Sequence, residues 1–185
     1  MHAFLTPFNL QTLIHTTGYE LHLIIINEVK FRIIQESVPR IKKCFDQLTI
    51  DEIWHRPNDN LVSIGNLVLH LCGNVKQYIL FGLGGQPDER ERQHEFDNTE
   101  KLSKEDLLEI LDDLMNRVAN LLDSLSPDLL TSKISVQGMV YTGFWILMHV
   151  AEHFSYHVGQ ITWHTKHIKN VYMKYYEGKN MDIIG

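Results

Sequence analysis

Leu107, Leu111, Leu114, Val118, Leu121 and Leu125 recur at alternating intervals of four and three residues. That spacing keeps apolar side chains on one seam of an α-helix. The run opens on Ser103-Lys-Glu-Asp106, a capping pattern with acid in the first turn, and Pro127 lies beyond its end. A helix with one apolar seam must bury it against partners, and the chain supplies three more. Phe31, Ile34, Val38, Ile41, Phe45 and Leu48 space a first helix. A second opens at Ser63, a good N-cap, and carries Ile64, Leu67, Val68, Leu71, Val75, Tyr78 and Ile79 before Gly82, Gly84, Gly85 and Pro87 end it. The last runs from about Thr142 to His167, with Phe144, Leu147, Ala151, Phe154, Val158 and Ile161 expected inward. Four helices of about 20 residues with heptad-like cores predict an all-α fold, a four-helix bundle.

The connections qualify that prediction. Residues 49–62 contain Pro57 and the turn-forming Asn58-Asp59-Asn60, and residues 84–102 form a long charged link with Asp88-Glu-Arg90-Glu-Arg92. The length of the second allows a crossover in place of simple up-down topology. Residues 133–141 alternate β-formers with polar residues, which predicts a short extended segment. Residues 1–28 hold Phe4, Leu5, Phe8 and the run Leu23-Ile24-Ile25-Ile26, interrupted by Glu20 and His22. Without a basic start or a long unbroken apolar core, they are not expected to be a signal peptide or a membrane span. The expected organisation is an N-terminal extension over 1–28, a bundle over 29–170 and a C-terminal tail over 171–185.

Composition excludes some functions. A net charge of −6 with no Lys/Arg cluster argues against a nucleic-acid surface. Two cysteines, Cys44 and Cys72, are too few for a disulfide scaffold, so a reducing cytoplasm is the expected compartment. Eleven histidines in 185 residues stand out.

Their placement matters more than their number. In His149-Val-Ala-Glu-His153-Phe-Ser-Tyr-His157-Val-Gly-Gln160, successive histidines lie four residues apart on one helical face, each about 6 Å along the axis from the last. Two imidazoles so placed can share a metal ion, and a catalytic tetrahedral site needs a third protein ligand. His70 is the candidate, because Asn66, Gly73, Asn74 and Gln77 flank it at helical spacing and make a small, polar seam. Cys72 lies two residues on, about 200° around the helix, and is expected in the core. Two metal motifs do not apply. The metalloprotease helix needs Glu directly after its first His, where Phe154 stands. Di-iron bundles need Glu-x-x-His on two helices, and here the pattern falls at Glu52–His55 and Glu91–His94, in connections. His164 and His167 are expected to be solvated or to complement the helix dipole.

These segments carry a resemblance. Ser63-Ile-Gly-Asn-Leu-Val-Leu-His70-Leu-Cys-Gly-Asn74, Gly82-Leu-Gly-Gly85 with Pro87-Asp88, and Glu152-His-Phe-Ser-Tyr-His-Val-Gly-Gln-Ile161 resemble the DinB/YfiT-like superfamily of metal-binding four-helix bundles. The likeness is nearest to a subgroup of small bacterial proteins and spans about Phe31 to His167. It implies that His70, His153 and His157 bind one divalent ion, zinc or nickel. It places His149 and Tyr156 at the pocket wall and matches Gly159-Gln160 to the close of the motif; Asn66 and Asn74, on the seam of His70, are expected around the site with Gln160. Relatives with assigned activities act through low-molecular-weight thiols, as bacillithiol S-transferases or mycothiol-dependent isomerases, and relatives often pair as homodimers. The resemblance begins near Val29, which raises the expectation of a natural start there; the mass of the native N-terminus checks it.

Three neutral imidazoles leave an ion its full charge and an open position, where a thiol or water loses its proton near neutral pH. Thiol S-transfer is therefore the first expectation. A metal-dependent hydrolase and a stress-related metal-binding bundle without turnover are the alternatives. Tyr156 is a candidate donor or acid, and Trp54, Arg56, Arg90 and Arg92 are candidates for a substrate rim.

Overall fold

The computed structural model describes residues 10–97 and 101–183, with side chains from residue 18 onward. Four long helical segments make the bundle. The first is continuous over residues 10–47: α1 (Leu10–Lys30), a π-helical stretch (Phe31–Ser37) and α2 (Val38–Gln47). A short α3 (Ile50–Ile53) follows, capped by a Thr49–Glu52 box inside the expected connection. The second segment is α4 (Ile64–Val75) with a π-helical end (Lys76–Leu83). After the small α5 (His94–Asp97) come α6 (Lys104–Ser124), a 3₁₀ turn (Pro127–Leu130), the hairpin β1 (Lys133–Val136) and β2 (Met139–Thr142), and α7 (Gly143–Lys169).

Caps set several boundaries. The Ser63 hydroxyl accepts from the Asn66 amide, Ser103 and Asp106 cap each other, and Thr142 accepts from the Trp145 amide. Gln137 and Gly138 form the two-residue hairpin turn with φ of 54° and 74°, matching the twist of the paired strands. Asn170 closes α7 in the left-handed region at φ 51°.

Contacts at the helix ends define the topology. Lys42 pairs with Asp112 and Lys30 with Asp123, so the first segment runs antiparallel to α6. Cys44 faces Thr162 while Lys169 reaches Glu52, so it runs parallel to α7. Trp54 lies between Gly65 and Leu102, whereas Gly84 meets Leu121, so α4 and α6 are parallel. Two parallel neighbours require a return over a full helix length, about 30 Å for 20 residues. Residues 84–103 make that crossover, and α5 rests on α4 along the way.

The core joins Phe45, Ile41, Leu71, Ile79, Leu107, Leu111, Leu114, Phe154 and Ile161. The seams differ from expectation at a few positions. Ile33 is fully buried in the place expected of Ile34, and Phe31 is 43% exposed, because the π-helical stretch shifts the inward face by one residue. Pro39 gives the cause: its ring excludes the carbonyl four residues back, at Gln35, which lies in that stretch. On α7 the seam passes through Ile146 and Val150, which leaves Phe144 exposed and Ala151 half-buried. Phe4, Leu5 and Phe8 lie outside the described residues; α1 buries Ile26 and Val29 and runs unbroken into Phe31. Among the described residues no helix is long and apolar enough to cross a membrane.

Candidate metal centre

The polar seam of α4 is buried along its length: Asn66, His70, Asn74 and, in the π-helical end, Gln77. It faces α7, which runs antiparallel and presents His149, His153 and His157 half-buried. His70 Nε2 lies 3.1 Å from His153 Nε2, and His157 Nε2 lies 3.3 Å from the same atom. The three ligand nitrogens are all within 4.8 Å of one another.

Outer partners settle which nitrogens are free. The His70 Nδ1–H donates to Glu95 Oε2 at 2.8 Å, and the His157 Nδ1–H donates to Gln160 Oε1 at 2.7 Å. Both neutral rings then turn bare Nε2 lone pairs toward His153. The single proton of His153 can satisfy only one of them, and its own Nδ1 is buried without a partner, as is Asn74 Oδ1. Converging lone pairs repel unless a cation lies among them. A tetrahedral ion with nitrogens at about 2.0–2.1 Å has N···N edges of about 3.3–3.4 Å, and the two spacings to His153 are close to that. The donor set fits one divalent ion.

Electrostatics keep His153 and His157 neutral. Burial, with the facing imidazoles of His157 and His70, lowers His153 to about 3, and burial likewise lowers His157 and His149. Burial pushes the Glu95 carboxyl up, but the hydrogen bonds from Arg90 and His70, with the Arg90 charge, outweigh it and hold the group below its ordinary value. A pH dependence follows for the metal-free protein. In the unfolded chain the histidines recover their usual value near 6.5 and bind protons that the folded rings refuse. Stability is therefore fully present above about pH 6.5 and declines as the pH falls toward 3, and Glu95 acts in the same direction. Urea midpoints taken between about pH 7 and pH 4 are expected to fall steadily; a flat profile would contradict the neutral cluster.

Around the triad, Arg90 grips Glu95 with two bonds of 2.7 and 2.9 Å and donates to Gln77 Oε1 at 2.9 Å. Gln77 also bonds Asp88 and Gln137, and Gln137 accepts from Tyr78, so the crossover and the hairpin turn meet behind the site. Phe96 packs on the His70 ring at 4.8 Å. On the other side, Tyr141, Trp145 and His149 stack in a ladder with centroids 3.7 and 4.8 Å apart, braced by Tyr78. A cavity of about 520 Å³, lined by His149, Glu152, His153, Ser155 and Tyr156, lies beside His153.

The residues expected at the rim separate. Tyr156 is exposed beside His157, at the cavity mouth. Arg90 is not a rim residue: its side chain is buried on Glu95. Trp54 is not at the rim either, since it is buried against Gly65 with its indole N–H donated to Leu102 O. Arg56 donates to Asn66 Oδ1 and to the Phe96 carbonyl, tying α5 to the start of α4. Arg92 lies over the Phe96 ring at 5.1 Å. Asn66 accepts from Ser63 and donates to the Glu95 carbonyl, so it anchors α5. Cys72 is buried, its thiol pushed up to about 12 by burial. His164 is buried and not solvated, while Glu91 and His94 form an exposed pair away from the triad.

Glu95 is the residue that sequence reasoning missed. It sits 25 residues from His70, on a connection whose spacing says nothing of what it touches. The only trace is Gly73, one turn after His70, where a side chain would occupy the place of the Glu95 carboxylate.

Residues 25–176 match the family described as "Protein of unknown function (DUF1572)". No curated protein matches the chain. Among solved structures, the DinB-like protein YjoA of Bacillus subtilis is similar, with a TM-score of 0.58 and 18% identity over 76% of this chain and 91% of that one. A DinB-like protein of Bacillus cereus ATCC 10987 is similar to the same degree, with a TM-score of 0.58 and 18% identity over 72% and 87%. At that identity the likeness shows the fold.

Proposed function

The chain belongs to the DUF1572 family, within the DinB-like superfamily, and we propose that it is a divalent-metal-dependent enzyme that transfers a low-molecular-weight thiol. The observation that carries this reading is the convergence of three Nε2 atoms whose outer partners leave them as lone-pair donors. His70, His153 and His157 would hold one ion, zinc or nickel; affinity order alone does not choose between them. Bound there, such an ion acts as a Lewis acid that lowers the pKa of a thiol or water.

The chain's own residues supply the rest. Glu95 and Gln160 hold the ligand rings in one tautomer. Phe96 on one side and the Tyr141–Trp145–His149 ladder on the other limit water around the cluster. His149, neutral near pH 7 and without a hydrogen-bond partner among the described residues, lines the cavity beside His153 and is available to accept the thiol proton. The thiolate sulfur then forms a bond to an electrophilic carbon, whose leaving group departs with the electron pair. Tyr156, exposed at the mouth, is available to donate a proton to that group.

Metal removal tests the reading. Protein stripped by a chelator and reloaded with zinc or nickel is assayed for conjugation of small thiols to an electrophile, for ester hydrolysis and for thermal stability. Metal-dependent conjugation is expected. Hydrolysis without conjugation would replace transfer by metal-dependent hydrolysis. A metal-dependent melting point with no turnover on either panel would leave a binding protein.

A further inference from the structure

Glu95 lines a cavity of about 590 Å³ between α4, α6 and the crossover, not the one at His149 and Tyr156, and among the described residues it is one of the most tightly held acids. Its carboxylate takes two bonds from Arg90 and one from His70, and all three side chains are at least nine-tenths buried. Burying a carboxylate and a guanidinium is costly unless geometry and remaining hydrogen bonds are satisfied. Here they are satisfied: Arg90 spends its third donor on Gln77, and Gln77 is itself fixed by Asp88. The backbone also makes room, since any side chain at Gly73 would displace the carboxylate. A glycine inside a helix is less stable than alanine, and the groups a side chain at Gly73 would meet are Glu95 and its partner Arg90. Glu95, its Arg90 clamp and the Gly73 gap thus form one arrangement, delivered to α4 by the crossover and directed at one nitrogen of one ring.

The geometry assigns Glu95 as the positioning residue for His70. Its carboxylate accepts the Nδ1 proton, holds the imidazole in the tautomer with Nε2 free and raises the basicity of that nitrogen. Arg90 keeps the carboxylate in place, and Gly73 leaves the space for it. The parallel crossing of α4 and α6 thereby gains a purpose at the site, because the return connection is what carries a carboxylate to the back of a ligand. This assignment rests on zinc or nickel binding at the triad, and it concerns affinity, not turnover.

The test uses zinc alone as the probe, in the full chain, with affinity read by competition against a chromogenic chelator. Outer-sphere partners of ligand histidines typically contribute about 10–100-fold in affinity, so E95A is expected to weaken zinc by that factor, and E95Q by less because its amide oxygen still accepts. G73A leaves every ligand and Glu95 in the chain but fills the carboxylate's place, so it is expected to match E95A. The G73A/E95A double variant is expected to bind no more weakly than E95A, since both changes remove the same contact. Cobalt-loaded samples add an independent readout, with altered ligand-field bands expected in E95A and G73A. Should E95A fail to fold, E95Q and G73A carry the comparison. Zinc affinity within about twofold of wild type in these variants overturns the assignment, as do G73A and E95A losses that multiply. Wild-type protein that takes up no zinc overturns the metal reading itself, and this assignment with it.

Discussion

His70→Ala is expected to take the protein from one retained zinc per chain to none after gel filtration. His70 is the one member of the triad that α4 contributes, and its Nε2 closes the cluster over the two nitrogens of α7. Without it, two imidazoles at i and i+4 remain, below the three protein ligands of a catalytic tetrahedral site. His157→Ala is expected to give the same loss. His149→Ala is expected to retain the metal, because its ring stacks on Trp145 and stands 5.5 Å from His153 by ring centroid, outside the triad. Metal content measured by atomic absorption separates these outcomes. Unchanged zinc in His70→Ala would mean that the cluster is not the binding site.

Phe154→Ala is expected to cost about 3–5 kcal/mol of stability. Phe154 is fully buried and follows His153 directly, about 100° around the helix from it, so it faces the apolar core beside the histidine face. Truncation removes its transfer energy and leaves a cavity in the core. Against a typical total of about 5–15 kcal/mol, that is a large fraction, and the melting point is expected to fall by about 10 °C. Urea unfolding with and without saturating zinc gives a second check. The Phe154→Ala penalty is expected to be the same in both states, because the metal adds its binding free energy to folded wild type and variant alike. His70→Ala, by contrast, is expected to lose the zinc increment entirely. A Phe154→Ala cost below about 1 kcal/mol would show that this turn is not packed as described.

Much of this architecture is legible in the sequence, and for a physical reason. Apolar spacing reports which side of a helix leaves water, so the leucine seam of α6 and the seam of α4 translate directly into buried residues. The 20-residue charged link is long enough to return over a helix, and the alternation at 133–141 marks the hairpin. The imidazole pair on α7 is legible because i and i+4 are neighbours in any α-helix. What spacing does not report is a change of hydrogen-bonding register. The π-helical stretches use the same residue types as the α-helices around them, so Ile33 in place of Ile34 emerges only from coordinates. Nor does spacing report contacts made across a connection. Glu95 and Arg90 look like members of a solvated charge run, and only the path of the crossover brings them into the interior. Trp54 and Arg90 were expected at a rim because aromatic and cationic residues in connections usually face water. Here Trp54 fills the space above Gly65, and Arg90 is drawn inward by a carboxylate.

The first helix, residues 10–47, widens to an i→i+5 ladder over Phe31–Ser37 and so holds one residue more than its axial length requires. Losing a residue within that stretch would let it relax to an ordinary helix with both flanking faces still correctly aimed. Losing one elsewhere in the same segment would swing everything beyond it by about 100° around the axis, turning Cys44 and Phe45 out of the core. The helix therefore has a single place where its length is negotiable between related chains, and Pro39 holds that slack open.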